Sequence, residues 1–115
     1  MNEVALDPVV TNPDHYSVVF ENDLVRVLAY QDEPGERTTP HEHPDSVMVT
    51  QSAFRRRLSG SQGERDVELP PGAVVWLPAQ EHTGENTGTT PTRVVLVELK
   101  GSAARPAPGP VLGPA

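Results

Sequence analysis

The chain has no cysteine, few aromatic residues and no long apolar run. The absence of cysteine excludes disulfides, thiolate metal ligands and a cysteine nucleophile, and it leaves the redox compartment open. No apolar run approaches the roughly 18 residues that a membrane span requires. The acidic first residues, 1–7, also lack the apolar core of a secretory signal. We therefore expect a cytoplasmic protein with no membrane partner.

Positive charge is also scarce, and its scarcity narrows the classes of partner. The chain has nine Lys and Arg residues and sixteen Asp and Glu residues, which gives a net charge of -7. A charge of this sign repels the phosphate backbone, so we expect no nucleic-acid partner. A chain of 115 residues is the size of one domain with one modest core.

Turn-forming residues are abundant, and they predict an all-β protein. The 13 Pro and 9 Gly interrupt the chain so often that no window shows a clean helical apolar stripe. Short Val-rich segments lie between the turns, as in a barrel or a sandwich. The predicted strands are residues 16–20, 24–30, 37–43, 47–58, 65–69, 73–77, a short strand around His82, and residues 93–99. Residues 1–15 are predicted to form an N-terminal arm, 16–100 a β-barrel, and 101–115 a flexible or draped tail rich in Pro, Gly and Ala.

Three of the four histidines have the spacing of a metal site. On a strand, side chains alternate between faces, so His41 and His43 point the same way, about 7 Å apart. That separation suits two ligands on one metal ion. The third imidazole must come from another strand, and His82 is the candidate. The sequence therefore predicts metal ligation by His41, His43 and His82, against the alternative of histidines that merely bond to backbone inside a barrel.

Two segments around these histidines resemble the motifs of the cupin family. Residues 35–43 begin with a glycine and end in His-x-His, like the first cupin motif. Residues 72–86 have glycine, proline, histidine and asparagine in register with the second. This resemblance implies the cupin double-stranded β-helix, a jelly-roll barrel in which both motifs line one cavity. It also implies a homodimer, because small cupins often pair barrels or exchange terminal strands.

The departures from the cupin motifs indicate a subgroup. The first motif usually continues with a glutamate ligand, and the corresponding positions here hold Val47 and Met48. Gln80 replaces a glycine between Pro78 and His82. What remains resembles the three-histidine cupins, to which thiol dioxygenases and a diketone-cleaving dioxygenase belong. The resemblance implies one divalent metal per chain, iron for a dioxygenase, with zinc, nickel, manganese and copper as alternatives.

Carboxylates beside the motifs are further candidates. Glu81 and Glu85 flank His82 and could orient its imidazole or move a proton in catalysis, although the alternative is a pair of solvated carboxylates. Asp45 follows Pro44, so a turn could bring its carboxylate toward the metal, but this dipeptide is also common turn chemistry.

An arginine run and two apolar residues are candidates for substrate binding. If residues 55–57 are strand, Arg55 and Arg57 share one face and Arg56 lies on the other. An inward arginine would clamp a carboxylate or phosphate and would indicate an anionic substrate. The alternative, which we favour for at least two of the three, is an outward position that pairs with surplus acids. Met48 and Trp76 are predicted to line the cavity.

Three classes of function fit these patterns. The leading hypothesis is a three-histidine Fe(II) dioxygenase that acts on a small organic molecule. The second is a non-redox isomerase or lyase in which zinc, nickel or manganese acts as a Lewis acid. The third is a non-enzymatic module that binds a metal or a small molecule.

Overall fold

The structure is a computed structural model, and it describes residues 6–101. Predictions for residues 1–5 and 102–115, which include nearly all of the tail, lie outside the described residues. The elements in chain order are α1 (Pro8–Thr11), β1 (Tyr16–Glu21), β2 (Val25–Asp32), β3 (His41–His43), β4 (Ser46–Thr50), β5 (Phe54–Gly60), β6 (Gly63–Leu69), β7 (Val74–Leu77), β8 (Gln80–Asn86) and β9 (Thr92–Leu99). Within this part of the chain no helix has the length and hydropathy to cross a membrane.

The strands form two antiparallel sheets that face each other. The larger sheet has the order β1-β2-β9-β4-β7, and the smaller sheet has the order β3-β8-β5-β6. This arrangement confirms the predicted all-β fold. The apolar core lies between the layers and consists of Tyr16, Leu28, Tyr30, Phe54, Val94 and Leu96.

Alternation along the central strand of the larger sheet explains why it faces the core on one side. In β9, Val94, Leu96 and Glu98 are buried, while Val95 and Val97 on the other face are only half-buried. A period of two is what a strand with one covered face requires. A carboxylate in the buried register is unusual, and Glu98 takes part in the site described below.

The prediction of one long strand over residues 47–58 is wrong. β4 belongs to the larger sheet and β5 to the smaller sheet, and residues 51–53 turn the corner between them. The corner is held by the backbone N–H of Gln51, which donates to the carbonyl of Arg93 at 2.8 Å. The Ser52 hydroxyl donates to the carbonyl of Pro91 at 2.9 Å. Because these bonds replace strand pairing, the chain changes sheets without a glycine or proline.

A short N-terminal helix lies next to the strands that carry the site. Asp7 caps α1 by accepting a hydrogen bond from the backbone N–H of Val9 at 2.9 Å, and Pro8 occupies the first turn, where its missing N–H is not needed. The Asp7 carboxylate also pairs with Arg26 on β2 at 2.9 Å. The helix is thereby tied to the larger sheet.

Candidate metal centre

Three imidazoles converge where β3 pairs with β8 on the inner face of the smaller sheet. His41 lies directly opposite His82 in the antiparallel register, and His43 projects from the same face of β3 as His41. One ring nitrogen from each of the three histidines lies within 4.8 Å of the others. His41 and His43 are almost fully buried, at 1% and 2% exposure. This convergence is the geometry that a single metal ion requires.

Hydrogen bonds behind two of the rings fix which nitrogen faces the cluster. His41 Nδ1 lies 2.8 Å from the carbonyl oxygen of Thr39, and His82 Nδ1 lies 2.6 Å from Oε1 of Gln80. A carbonyl oxygen only accepts, so each Nδ1 carries the proton and each Nε2 keeps a lone pair. Gln80, the residue that departs from the cupin motif, is therefore the residue that orients His82.

The third ring is held by a buried carboxylate that the sequence analysis missed. His43 Nδ1 donates to Oε2 of Glu98 at 3.1 Å, and Glu98 is 3% exposed. The other carboxylate oxygen accepts from Arg26 at 3.0 Å, and Arg26 in turn pairs with Asp7. A chain of alternating charge thus runs from the imidazole to the N-terminal helix. The sequence does contain one indication of this contact, because Glu98 stands at a position of β9 where strand alternation predicts a buried apolar residue.

A tyrosine hydroxyl lies beside the cluster, and sequence reasoning missed it as well. Tyr16 Oη is 3.3 Å from Nε2 of His41 and 3.3 Å from Nε2 of His43. Burial raises the pKa of Tyr16 well above its usual range, so the group is a neutral phenol that can donate a proton. The only sequence signal was an aromatic residue at the start of the first strand.

Burial keeps two of the imidazoles neutral. Desolvation lowers the pKa of His41 to about 4, although the hydrogen bond to Thr39 opposes the change. Desolvation, with repulsion from His43 and His41, lowers the pKa of His82 to about 3. Neutral imidazole is the form that binds a metal ion, so both rings are in the ligating form across the physiological pH range.

The cluster opens into a cavity of about 80 Å³ between the sheets. Its wall is largely apolar. The lining residues besides the histidines include Met48, Phe54, Leu58, Val67, Leu77, Val94 and Leu96. A space of this size fits a small molecule or a few waters, since typical drug-sized sites are several hundred Å³.

Arg56 lines the same cavity and belongs to a buried polar network. Its guanidinium donates to the Asp32 carboxylate at 2.6 Å, to the Thr92 hydroxyl at 3.1 Å and to the Tyr30 hydroxyl at 3.2 Å. Tyr30 also donates to Asp32. The arginine charge is therefore balanced within the network before any substrate arrives. Asp32 lies two residues after Tyr30, on the same buried face of β2. A carboxylate at a position where alternation predicts a buried residue was the signal available in the sequence.

The comparisons with known proteins agree with this architecture. No family model and no curated protein matches the sequence. Among solved structures, a cupin domain from Bordetella pertussis Tohama I superposes with a TM-score of 0.70 at 27% identity, covering 75% of this chain and 92% of that chain. The chain therefore has the cupin fold, a double-stranded β-helix. A double-stranded β-helix protein from Klebsiella pneumoniae is 26% identical, with a TM-score of 0.60 over 77% of this chain and 74% of its own. The polyketide cyclase RemF from Streptomyces resistomycificus is 19% identical, with a TM-score of 0.56 over 73% of this chain and 63% of its own.

Several residues predicted to bind substrate lie outside the cavity of the barrel. Arg55 and Arg57 project from the outer face of β5, where Arg57 pairs with Asp66 at 2.9 Å and Arg55 approaches Glu68 at 4.0 Å. Trp76 is 54% exposed. The predictions that these three residues contact substrate in the cavity are wrong, because strand alternation turns them outward. The favoured alternative, an outward position for at least two of the three arginines, is confirmed. Met48 does line the cavity, as does the inward arginine of the run, Arg56.

The candidate carboxylates also lie away from the imidazole cluster. Glu81 and Glu85 occupy the face of β8 opposite His82, where Glu85 pairs with Arg37 at 3.2 Å near the surface. The prediction that they orient the imidazole or move a proton in the cavity is therefore wrong. Asp45 is exposed and accepts a hydrogen bond from the backbone N–H of Ala79 at 2.8 Å, which is turn chemistry.

Proposed function

We propose that this cupin binds one divalent metal ion through His41, His43 and His82, and that it is an enzyme acting on a small organic molecule. The observation that carries the proposal is the convergence of the three rings, each with its Nδ1 bonded to an acceptor. Those acceptors leave the Nε2 lone pair of each ring available to a metal ion. A barrel that used the histidines only for packing would have no need of this alignment.

The chemistry of the donor set fits a divalent ion with free coordination positions. Three imidazole ligands bring no negative charge of their own, and Val47 and Met48 offer no carboxylate in place of the missing glutamate. Bound there, such an ion would supply positions for a chelating substrate and Lewis acidity, together with oxygen chemistry if it is iron. The residues of the chain bind the ion, orient the substrate and keep bulk water out.

Within this class, we propose a three-histidine Fe(II) dioxygenase as the leading activity. The resemblance to the three-histidine cupins supports it, since that subgroup includes thiol and diketone dioxygenases. The apolar wall, with Met48, Leu77 and Leu96, also supports it, because such a wall admits small apolar molecules and excludes water. The volume of about 80 Å³ limits the substrate to a small molecule.

A non-redox isomerase or lyase is the second candidate, and one observation favours it. The neutral Tyr16 hydroxyl lies 3.3 Å from two of the ligating nitrogens. A proton donor beside the metal ligands suits the general acid catalysis of a lyase or an isomerase. In this reaction the metal would be zinc, nickel or manganese.

The charge of the cavity bears on the substrate. Among the described residues that line it, Arg56 carries the guanidinium, and Asp32 already balances that charge at 2.6 Å. We therefore propose a substrate that is neutral or carries one negative charge. A dianion would find too little uncompensated positive charge in this cavity besides the metal.

The experiment is metal reconstitution followed by a substrate screen. Protein stripped with a chelator is loaded anaerobically with iron, zinc, nickel or manganese, and oxygen uptake and product formation are followed with thiols, diketones and phenolic acids. The dioxygenase proposal predicts oxygen uptake that requires iron and is lost in His43→Ala. Turnover with zinc, nickel or manganese without oxygen would establish the second candidate. Stoichiometric metal without turnover across the screen would favour a non-enzymatic binding module.

A further inference from the structure

Asn12 is a buried polar residue at the C-terminal end of α1, and it is only 6% exposed. Its backbone groups serve the fold. The N–H donates to the carbonyl of Pro8 at 2.8 Å, and the carbonyl accepts from the backbone N–H of Tyr16 at 3.0 Å. The side chain is therefore not needed to end the helix or to begin β1, and its amide is available for other contacts.

The side-chain amide of Asn12 binds the backbone of Thr39, which lies 27 residues away in the sequence. Oδ1 of Asn12 accepts from the Thr39 N–H at 2.9 Å, and Nδ2 donates to the Thr39 carbonyl oxygen at 3.3 Å. Nδ2 also donates to the hydroxyl of Thr11 at 2.8 Å, which fixes the orientation of the amide. One side chain thus holds both backbone polar groups of Thr39.

The Thr39 carbonyl is the group that orients the ring of His41. The same oxygen lies 2.8 Å from Nδ1 of His41. A carbonyl oxygen has two lone pairs, so it can accept from Asn12 and from His41 together. Pro40 lies between Thr39 and His41, and its ring restricts the backbone that joins them. A fixed Thr39 therefore gives the imidazole a fixed acceptor.

The other end of α1 is connected to the second histidine of β3. Asp7, which caps the helix, pairs with Arg26, and Arg26 pairs with Glu98, which accepts from His43. The two ends of one short helix are therefore linked to both candidate ligands of one strand. That strand is three residues long and lies at the edge of the smaller sheet, so contacts from outside its sheet help to fix its position.

We propose that Asn12 is a positioning residue for the metal site, and that it sets the orientation and the tautomer of His41 by fixing the Thr39 carbonyl. The inference rests on the proposed function, because an effect on the metal requires His41 as a ligand. The hydrogen bond that an imidazole makes through one nitrogen determines which nitrogen carries the proton. With Thr39 in place the proton stays on Nδ1 of His41, and Nε2 is left for the metal ion.

The test compares Asn12→Ala with Asn22→Ala in the full chain. Asn22 is the matched control, because its side chain also accepts from backbone N–H groups, those of Leu24 and Val25 at 2.8 and 2.9 Å, but in the turn between β1 and β2. We expect the dissociation constant for zinc to rise about 10-fold in Asn12→Ala, the lower end of the range for residues that hold a metal ligand in place, since Asn12 acts through Thr39. Asn22→Ala should bind zinc as the wild type does. Competition with a chelator measures the constants, and circular dichroism checks the fold.

The tautomer of His41 supplies a second measurement that needs no metal. Nitrogen NMR of isotopically labelled, metal-free protein distinguishes a ring protonated at Nδ1 from one protonated at Nε2. In Asn12→Ala the proton of His41 should move in part to Nε2. His82, which is held by Gln80, should keep its wild-type tautomer in the same spectrum. If Asn12→Ala does not fold, Asn12→Asp takes its place, because it keeps the acceptor for the Thr39 N–H and removes the donor to the carbonyl. Its changes should have the same direction.

Two results would overturn the proposal. One is a wild-type tautomer of His41 in the folded Asn12 variant, and the other is a rise in the zinc dissociation constant that Asn22→Ala matches. A wild-type protein that binds no zinc would contradict the proposed metal site. The tautomer of His41 would still decide whether Asn12 positions the ring.

Discussion

Each imidazole of the cluster depends on a different kind of hydrogen-bond acceptor. His41 uses a backbone carbonyl, His82 uses the Gln80 amide and His43 uses the Glu98 carboxylate. A carboxylate behind an imidazole raises the basicity of the opposite nitrogen and so strengthens the metal bond. His43 should therefore be the strongest of the three ligands, and Glu98 should be the residue that makes it so.

Replacing Glu98 with glutamine tests this role. In Glu98→Gln the side-chain NH2 must face either Arg26 or the Nδ1–H of His43. Two hydrogen-bond donors then point at each other, and one of the two hydrogen bonds is lost. We expect the dissociation constant for the metal to rise about 10- to 100-fold, as is typical when such a partner is lost. Competition with a chelator of known affinity measures the constant. Glu68→Gln, on the exposed surface of β6, is the control and should bind metal as the wild type does. An unchanged constant in folded Glu98→Gln would exclude the role.

The low pKa values of two histidines predict how the metal-free protein responds to acid. In the unfolded chain these rings take up a proton near pH 6.5, whereas burial lowers the pKa to about 4 for His41 and to about 3 for His82 in the folded state. Between these values the unfolded state binds more protons, so the free energy of unfolding must fall as the pH decreases. The slope is at most about 1.4 kcal/mol per pH unit for each ring.

Urea unfolding of chelator-treated protein from pH 8 to pH 5 measures this loss. His82→Ala should reduce the slope, since one of the two rings is gone. A free energy of unfolding that stays constant over this range would show that the rings are not buried as neutral groups.

The three histidines of the cluster could be predicted from the sequence, but the residues that hydrogen-bond to them from the opposite sheet could not. Strand alternation and sequence spacing place His41 and His43 on one face, and they require the third ring from elsewhere. Tyr16 and Glu98 come from β1 and β9 of the opposite sheet, so their contacts depend on how the two sheets face each other. No local pattern contains that information.

At the scale of elements, the pairing of β5 with β8 decides where the arginine run points. Arg56 faces inward and lies across Gly84 of β8, where an ideal Cβ would be 2.6 Å from Nη2 of Arg56. The glycine therefore leaves the space that the guanidinium needs to reach Asp32. Strand alternation predicts that either Arg56 or the pair Arg55 and Arg57 faces the interior of the barrel. The sequence alone does not decide between these two possibilities.

A methyl group at Gly84 tests this close approach. Gly84→Ala should displace Arg56 from its buried partners and lower the free energy of unfolding by about 1–3 kcal/mol. A double-mutant cycle with Arg56→Met is the control, because the methyl group costs less once the guanidinium is gone. We expect a coupling energy of about 1 kcal/mol or more in denaturant unfolding. Additive effects would show that the two residues do not compete for this space.

The ends of the strands could also be predicted only in part from the sequence. Gly and Pro marked most turns correctly, including the tight hairpin between β5 and β6 that contains Gly60 and Gly63. The corner at residues 51–53 has neither residue type, so the sequence pattern there predicts a continuous strand. It is set by hydrogen bonds to Arg93 of β9 and to Pro91 just before it, and these contacts depend on tertiary structure.

At the scale of the whole molecule, the two sheets contribute different groups to the candidate metal site. The smaller sheet supplies all three imidazoles, while the inner face of the larger sheet supplies Tyr16 and Glu98.

The central claim is that His41, His43 and His82 hold one metal ion, and metal content tests it most directly. The protein is purified from cells without a chelator or a metal-affinity step, beside the His41→Ala/His43→Ala double variant, and both are analysed for transition metals. The account predicts about one divalent ion per chain in the wild type and only background in a variant that remains folded. Background metal in both proteins, with no uptake on reconstitution, or equal stoichiometry in both, would contradict it.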